Sequence, residues 1–344
     1  MEVNVDNHSS HLEEPRNGDA CGMDFEQDGV FLPALYGTFF IIGTPLNVIA
    51  VFGLYKLIKT ENVLPVYVIN LLLADLIHLL NLPMWMDYYK HHHYWRFGPS
   101  ACQVSSLAFY ISMYAAIFFM CIIALERHIA IAKPLKFHVL SQLKFARWFA
   151  LGVWVLIALP PSIAFNKLFP MHTNYTLCIE KYPADSGFIT YRLITLLMSF
   201  VVPLAFIFIL HVKTLSSLMA LRTLPPEEKR RIKSLLTLLL VTFVVVLGPY
   251  HVTGCVKYLG LLVHNDSCAW EKAIFVPYQL GRGLLAANGL LDPVLYIFLR
   301  ADFRSAAAQY LPCLGMVTWG LSQGRASCEG SEPKERHTSS TNGL

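Results

Sequence analysis

Seven long apolar segments run through this chain, and they constrain its fold more than any other feature. The core of a bilayer is about 30 Å thick, so an α-helix needs about 20 mostly apolar residues to cross it. Segments of this kind cover residues 30–55, 63–86, 99–125, 148–165, 193–210, 234–256 and 273–299. With 55% hydrophobic residues and a mean hydropathy of +0.48, the chain is too apolar for a soluble protein of 344 residues. The sequence therefore predicts an all-α membrane protein, a bundle of seven transmembrane helices.

Basic residues in the short connections orient this bundle, because Lys and Arg are retained on the cytoplasmic side. They are concentrated in the connections that follow the first, third, fifth and seventh segments. Before Val30, by contrast, the chain has one base, Arg16, and eight acids. We therefore expect a multi-pass plasma-membrane protein with an extracellular N-terminus. The net charge of +4 follows from this cytoplasmic bias and gives no reason to expect nucleic acid as a partner.

Glycosylation motifs and cysteines agree with this orientation. Three N-x-Ser/Thr motifs fall on the side assigned as extracellular, and they begin at Asn7, Asn174 and Asn265. Four cysteines lie on the same side, where disulfides persist: Cys21, Cys102, Cys178 and Cys268. Four cysteines allow three pairings, and the sequence alone does not choose among them.

Polar side chains at membrane depth are the first candidates for a working site. Burying such groups in hydrocarbon is costly unless they are paired or hydrated, so they are functional by default. Asn47, Asp75, Asn288 and Asp292 fall within the first, second and seventh segments. We expect them to converge on one hydrated interior pocket, and a purely structural hydrogen-bond knot is the alternative.

An ordered set of motifs resembles the rhodopsin-like G-protein-coupled receptors over essentially the whole chain. The set comprises Asn47, Asn70-Leu71-Leu72-Leu73-Ala74-Asp75, Trp95-Arg96-Phe97-Gly98, Cys102, Glu126-Arg127-His128, Trp154, Pro203, Pro249 and Asp292-Pro293-Val294-Leu295-Tyr296. The resemblance implies coupling to a heterotrimeric G protein through Glu126, Arg127 and His128. It also implies two disulfides, Cys102–Cys178 and Cys21–Cys268. The implied parts are an extracellular N-terminus (1–29), the receptor domain (30–300), an amphipathic helix 8 (301–312) and a disordered cytoplasmic tail (313–344).

The same resemblance assigns further roles within the bundle and the tail. It implies an activation core with a Na+ site at Asp75, formed by Asn47, Asp75, Ser112, Asn288, Asp292 and Tyr296. Ala116 stands where the family usually has a hydroxyl, and Ser112, one helical turn toward the outside, is the substitute. Cys313 is a candidate for palmitoylation, with a plain cytosolic thiol as the alternative. Serines and threonines of the tail suit phosphorylation by a receptor kinase and binding of arrestin.

Other classes of protein fit the sequence poorly. The Gly320-Leu321-Ser322-Gln323-Gly324 pattern of a nucleophile elbow lies in a short tail, without the strand and helix that it requires. We therefore expect no enzymatic activity. A seven-helix transporter is the stronger rival, but transporters usually show repeated halves, and no such repeat is visible here.

Cationic residues near the outer ends of the helices suggest one class of ligand. Amine receptors resemble one another in an acid seven residues after the cysteine of the third segment, and Phe109 stands at that position here. The seventh segment also has no lysine for a retinal Schiff base. The candidate pocket residues are Phe109, Arg192, His251, Lys257 and Arg282. Its cations suit a carboxylate, a phosphate or a lysolipid headgroup. Internal salt bridges to Glu180, Asp185 or Glu271 are the alternative.

Protons are the other candidate signal. Residues 82–89, 91–95, 130–137, 178–183 and 249–252 resemble the proton-sensing and lysolipid-related receptors. An imidazole titrates near pH 6.5, so outer histidines can convert extracellular pH into charge. The candidate sensors are His91, His92, His93, His172 and His264. Two positions depart from those receptors, since Ile157 replaces a buried acid and Gln279 replaces a histidine.

Overall fold

A computed structural model of the chain describes residues 19–57, 63–132, 142–168, 177–221 and 224–299. The first five segments are the helices α1 (Phe31–Leu57), α2 (Leu64–Lys90), α3 (Gly98–Ala132), α4 (Leu143–Leu168) and α5 (Ser186–Ala220). The sixth segment comprises α6 (Pro226–Thr242), a π-helical turn (Phe243–Leu247) and α7 (Gly248–Val263), and the seventh comprises α8 (Ser267–Leu285) and α9 (Asn288–Leu299). Several predictions fall outside the described residues: Asn7, His172, Asn174, Cys313, helix 8 over 301–312 and the tail.

Six of the seven predicted segments form helical stretches that are long and apolar enough to cross a membrane: α1 to α5 and the stretch Pro226–Val263. The seventh segment is broken into helices of 19 and 12 residues. The break lies at Ala286 and Ala287, whose N–H groups donate to the carbonyls of Gly283 (3.2 Å) and Leu284 (2.9 Å). Within the described residues the fold is helical, with one isolated β-bridge between Asp19 and Tyr182. The predicted all-α fold class is confirmed.

The bundle buries polar groups and exposes apolar ones. Leu151, Val155 and Leu159 of α4 are each more than half exposed, whereas Asn47 and Asp75 are buried. Such a surface is stable against hydrocarbon, because exposing so many apolar side chains to water would cost free energy. The distribution of side chains therefore supports the membrane assignment independently of helix length.

Helices α3 and α5 extend well beyond their apolar cores, to 35 residues each. The fifth segment was predicted to begin at residue 193, because the charge of Arg192 ends the apolar run. In the structure α5 begins at Ser186, so Arg192 lies in the second helical turn. Its burial within the bundle explains the difference, since a buried side chain does not face the lipid.

Three outer segments pack together over the bundle, and we call them the outer cap: residues 19–30, 91–97 and 177–185. The disulfide Cys102–Cys178 joins the third of these segments to α3, and Cys21–Cys268 joins the first to α8. The N–H of Ala20 also donates to the carbonyl of Tyr182 at 2.8 Å. Both disulfides implied by the family resemblance are present in the structure.

Candidate functional site

His93 lies at the centre of the outer cap and is completely buried. Its Nε2 lies 2.9 Å from Oδ2 of Asp28, and its Nδ1 lies 2.6 Å from Oε2 of Glu180. Phe25 stacks on the imidazole with 4.3 Å between ring centroids and covers one face of the ring. A neutral imidazole donates from one nitrogen only, whereas an imidazolium donates from both. Two carboxylates at the two ring nitrogens therefore select the protonated form.

Electrostatics at this site favour the same protonation state. Burial lowers the pKa of His93, but the charge of Glu180 and the hydrogen bonds to Glu180 and Asp28 outweigh burial and raise the pKa above its usual value. For Glu180, burial raises the pKa, yet His93 and Arg282 hold it down at about 2. Glu180 is therefore ionised throughout the physiological range, and the proton that exchanges is that of His93.

Glu180 connects the outer cap to the seventh segment. Its Oε1 accepts a hydrogen bond from Nη1 of Arg282 at 2.7 Å, and its Oε2 accepts one from the hydroxyl of Tyr88 at 2.8 Å. The guanidinium of Arg282 also lies 4.9 Å from the ring centroid of Trp85. With His93 protonated, two cations and two carboxylates balance. Loss of that proton leaves one uncompensated negative charge in a buried site.

The remaining histidines have different surroundings. His91, directly after α2, contacts Asp87 in the last turn of that helix, with Nδ1 3.4 Å from Oδ1, and His92 is exposed. His264 is exposed and stacks on Trp270 at 4.3 Å. Among the described candidate histidines, His93 alone combines burial with two carboxylate partners. The run of three histidines gives no sign of this difference, and the sequence reasoning did not assign partners to His93.

The three predicted pocket cations differ in their pairing. Arg282 pairs with Glu180, and Lys257 pairs with Glu271 at 3.0 Å, so the alternative of internal salt bridges applies to both. Arg192 has no such pair among the described residues. Of the other pocket candidates, Phe109 packs against Arg282, with 5.4 Å between the guanidinium carbon and the ring centroid. His251 instead stacks on Phe200 at 5.0 Å and contacts Ser199.

The structure places four polar residues of the predicted core close together: Asn47, Asp75, Asn288 and Asp292. The amide of Asn288 donates to Oδ1 of Asp75 at 3.2 Å and to Oδ2 of Asp292 at 2.9 Å. The amide of Asn47 donates to the carbonyl of Gly289 at 2.5 Å, next to this pair of carboxylates.

Ser112, a member of the predicted core, has other partners than the carboxylate pair. The hydroxyl of Ser112 contacts Nδ1 of His78 at 3.3 Å and donates to the carbonyl of Phe109 at 3.0 Å. The structure does not describe the side chain of Tyr296.

Opposite charges are paired near the C-terminal end of α3. Nε and Nη2 of Arg127 lie 2.5 and 2.7 Å from the two carboxylate oxygens of Glu126. The next residue, His128, contacts the hydroxyl of Thr214 on α5 at 3.0 Å. The three residues predicted to couple to a G protein therefore lie together, with Arg127 held by its neighbour.

The family model described as "7 transmembrane receptor (rhodopsin family)" matches residues 9–296. The chain belongs to this family. As a rhodopsin-family receptor it transduces an extracellular signal to heterotrimeric G proteins, and it is a multi-pass plasma-membrane protein. Members of this family are receptors and not enzymes.

Several curated receptors are similar to this chain over most of their length. G-protein coupled receptor 68 of Mus musculus is 28% identical over 302 residues, which cover 87% of this chain and 82% of that protein. G-protein coupled receptor 65 of Homo sapiens is 29% identical over 288 residues, covering 79% and 83%. A purinoceptor of Mus musculus is 28% identical over 337 residues, covering 95% and 87%. The similarity to the first two agrees with the predicted receptor group.

Proposed function

We propose that this rhodopsin-family receptor responds to extracellular protons through His93, and that its G-protein output rises as the pH falls. The observation that carries the proposal is the buried imidazole of His93 held between Asp28 and Glu180. These two carboxylates belong to different segments of the outer cap, and Glu180 also binds Arg282 of the seventh helical segment. A single proton therefore controls how firmly the cap is attached to the bundle.

The effect of pH on the stability of the cap follows from the raised pKa of His93. A histidine whose pKa is raised in the folded protein stabilises the folded arrangement. This stabilisation is complete at pH values below the ordinary histidine pKa of about 6.5. That stabilisation is lost as the pH rises through the raised value. Each unit by which the pKa is raised corresponds to about 1.4 kcal/mol of stabilisation of the outer cap in the arrangement described here. The other groups that face the ring, Phe25, Tyr88, Tyr89 and Phe275, are aromatic and carry no charge at these pH values.

A pH titration of second-messenger output between about 8 and about 6, which spans the ordinary histidine pKa, tests the proposal. His93→Asn should flatten the response, because asparagine carries no titratable proton. His92→Asn is the matched control: His92 is exposed, and both residues have a positive φ, 53° and 60°, which asparagine tolerates better than most residues. Equal titration curves for the wild-type protein and His93→Asn would refute the role of His93, and a flat wild-type curve would refute the proton response.

We also propose that the N-terminus is extracellular. The cytoplasmic bias of basic residues supports this orientation, as does the exposed sequon at Asn265 beside the Cys21–Cys268 disulfide. An epitope tag at the N-terminus should be accessible on unpermeabilised cells. The serines and threonines of the tail support regulation by a receptor kinase and arrestin, and stimulated phosphorylation of residues 331–341 would test that role.

The buried core around Asp75 suits a Na+ ion. Oδ2 of Asp75, Oδ1 of Asn47 and Oδ1 of Asn288 are buried and have no hydrogen-bond partner, and a hard cation prefers oxygen ligands. If Na+ binds there, NaCl should raise the melting temperature of the receptor more than choline chloride at equal concentration. Asp75→Asn should remove the difference, and a difference that persists would exclude this site.

A further inference from the structure

Arg192 is a buried cation without an anionic partner among the described residues. It lies in the second turn of α5 and is 1% exposed. Its Nη2 donates to the hydroxyl of Tyr250 at 2.5 Å, whereas Nε and Nη1 have no hydrogen-bond partner. No described carboxylate lies within ion-pair distance of the guanidinium, although the other two cations of the region each have one. Burying an unpaired charge is costly, so such a group calls for a specific explanation.

Tyrosine side chains form the surroundings of Arg192. The guanidinium carbon lies 5.0 Å from the ring centroid of Tyr110 and 5.9 Å from those of Tyr250 and Tyr258. Aromatic faces attract a cation, and that attraction retains the guanidinium within the bundle. The rings, however, carry no compensating negative charge. These three rings, which we call the tyrosine cage, therefore stabilise the side chain of Arg192 but do not neutralise its positive charge.

The three tyrosines of this cage also line a cavity that lies beneath the outer cap, together with Tyr278 and Glu180. Arg192 is not itself among the lining residues, so the tyrosines separate its guanidinium from this cavity. Three other cations do line the cavity, Lys181, Lys257 and Arg282, and each is paired with a carboxylate. Among the described cations of this region, Arg192 is consequently the one whose charge is still available to pair with an anionic ligand.

We propose that Arg192 and its tyrosine cage form a binding site for a small organic monocarboxylate with an apolar body. One unbalanced positive charge calls for one negative charge, and a planar guanidinium can donate two hydrogen bonds to a planar carboxylate. The tyrosine rings offer contact area for an aromatic or aliphatic body. A phosphate dianion would leave an excess negative charge in the buried site. No hydrogen bond or ion pair joins Arg192 to His93 among the described residues, so binding at Arg192 can be measured without the proton response.

Thermal stabilisation of the purified full-length receptor tests the proposal with defined probes. 3-Phenylpropionate should raise the melting temperature in a concentration-dependent manner, and the neutral analogue 3-phenylpropionamide should not. Arg192→Gln should weaken binding of the carboxylate by about 10-fold to 150-fold, the usual effect of losing a charge-assisted hydrogen bond. Arg192→Lys keeps the charge but lacks the planar fork, so it should bind with intermediate affinity.

Lys272→Gln is the matched control, because Lys272 is an exposed cation on α8 that does not line this cavity. This variant should bind 3-phenylpropionate as the wild-type protein does. Without ligand, Arg192→Gln should melt no lower than the wild type, since the change removes an unpaired buried charge.

Several outcomes would overturn the proposal. They are an absence of any wild-type shift, a shift that survives Arg192→Gln, or a stronger shift with inorganic phosphate. A misfolded or strongly destabilised Arg192→Gln receptor would do the same, because Arg192 would then act as a structural residue.

Discussion

Neutralising Glu180 should destabilise the receptor more than neutralising any exposed acid of the same loop. Glu180→Gln removes the anionic partner of both His93 and Arg282 while keeping the shape of the side chain. The pKa of Glu180 is lowered from 4.5 to about 2, a net effect of His93 and Arg282 outweighing burial. At about 1.4 kcal/mol for each pKa unit, the ionised form contributes about 3 kcal/mol to the folded state. That figure agrees with the cost of about 3–5 kcal/mol for removing one partner of a buried ion pair.

The pH range of this contribution follows from its sign. A lowered carboxyl pKa gives stability that is complete above the ordinary value near 4.5 and is lost as the pH falls through about 2. The whole effect is therefore present at pH 7. For a chain larger than about 250 residues, about 2 °C is expected per kcal/mol, so Glu180→Gln should lower the melting temperature by about 6 °C. The difference in melting temperature between about pH 6 and about pH 8 should also shrink, because His93 loses one of its two carboxylates.

Asp185→Asn provides the comparison for Glu180→Gln in a thermal denaturation assay of purified receptor. It makes the same acid-to-amide change in the same loop, but Asp185 is 65% exposed and pairs with an exposed Lys181. Exposed ion pairs contribute about 0–1 kcal/mol, so this variant should melt within about 2 °C of the wild type. Equal melting temperatures for the two variants would refute the reasoning that the buried charge cluster holds the cap to the bundle.

Three further changes test other parts of the structure. Arg127→Ala should reduce nucleotide exchange on the G protein at equal surface expression, and unchanged exchange would count against its assigned role. Cys268→Ser breaks the covalent link between the N-terminal segment and α8; the pH response should weaken, and a wild-type titration curve would show that this link is not needed. Gly260→Ala places a Cβ well inside van der Waals distance of the indole of Trp270 and should destabilise the receptor by about 1–3 kcal/mol. Gly152→Ala is the control, because its Cβ meets nothing within 4 Å and should be tolerated. Equal stabilities of the two variants would contradict the close approach of Trp270 to Gly260.

The sequence was sufficient for the fold class and for much of the inner half of the bundle. Segment length and hydropathy are local properties, so they define six of the seven membrane segments directly. The seventh segment is also apolar, but its break at Ala286 and Ala287 has no strong local signal. Asp75, Asn288 and Asp292 were expected to meet because isolated polar groups in hydrocarbon must find one another. The structure brings them together for that reason.

The tertiary structure decided what the outer half of the receptor can bind. Three cations looked alike in the sequence, and their difference lies in partners that are distant along the chain. Arg282 and Glu180 are 102 positions apart, and His93 lies 65 positions from Asp28 and 87 from Glu180. Whether a buried charge is paired depends on which side chains approach it in space. The fold pairs Arg282 with Glu180, raises the pKa of His93 and leaves Arg192 without an anion among the described side chains. No local pattern in the sequence contains that information.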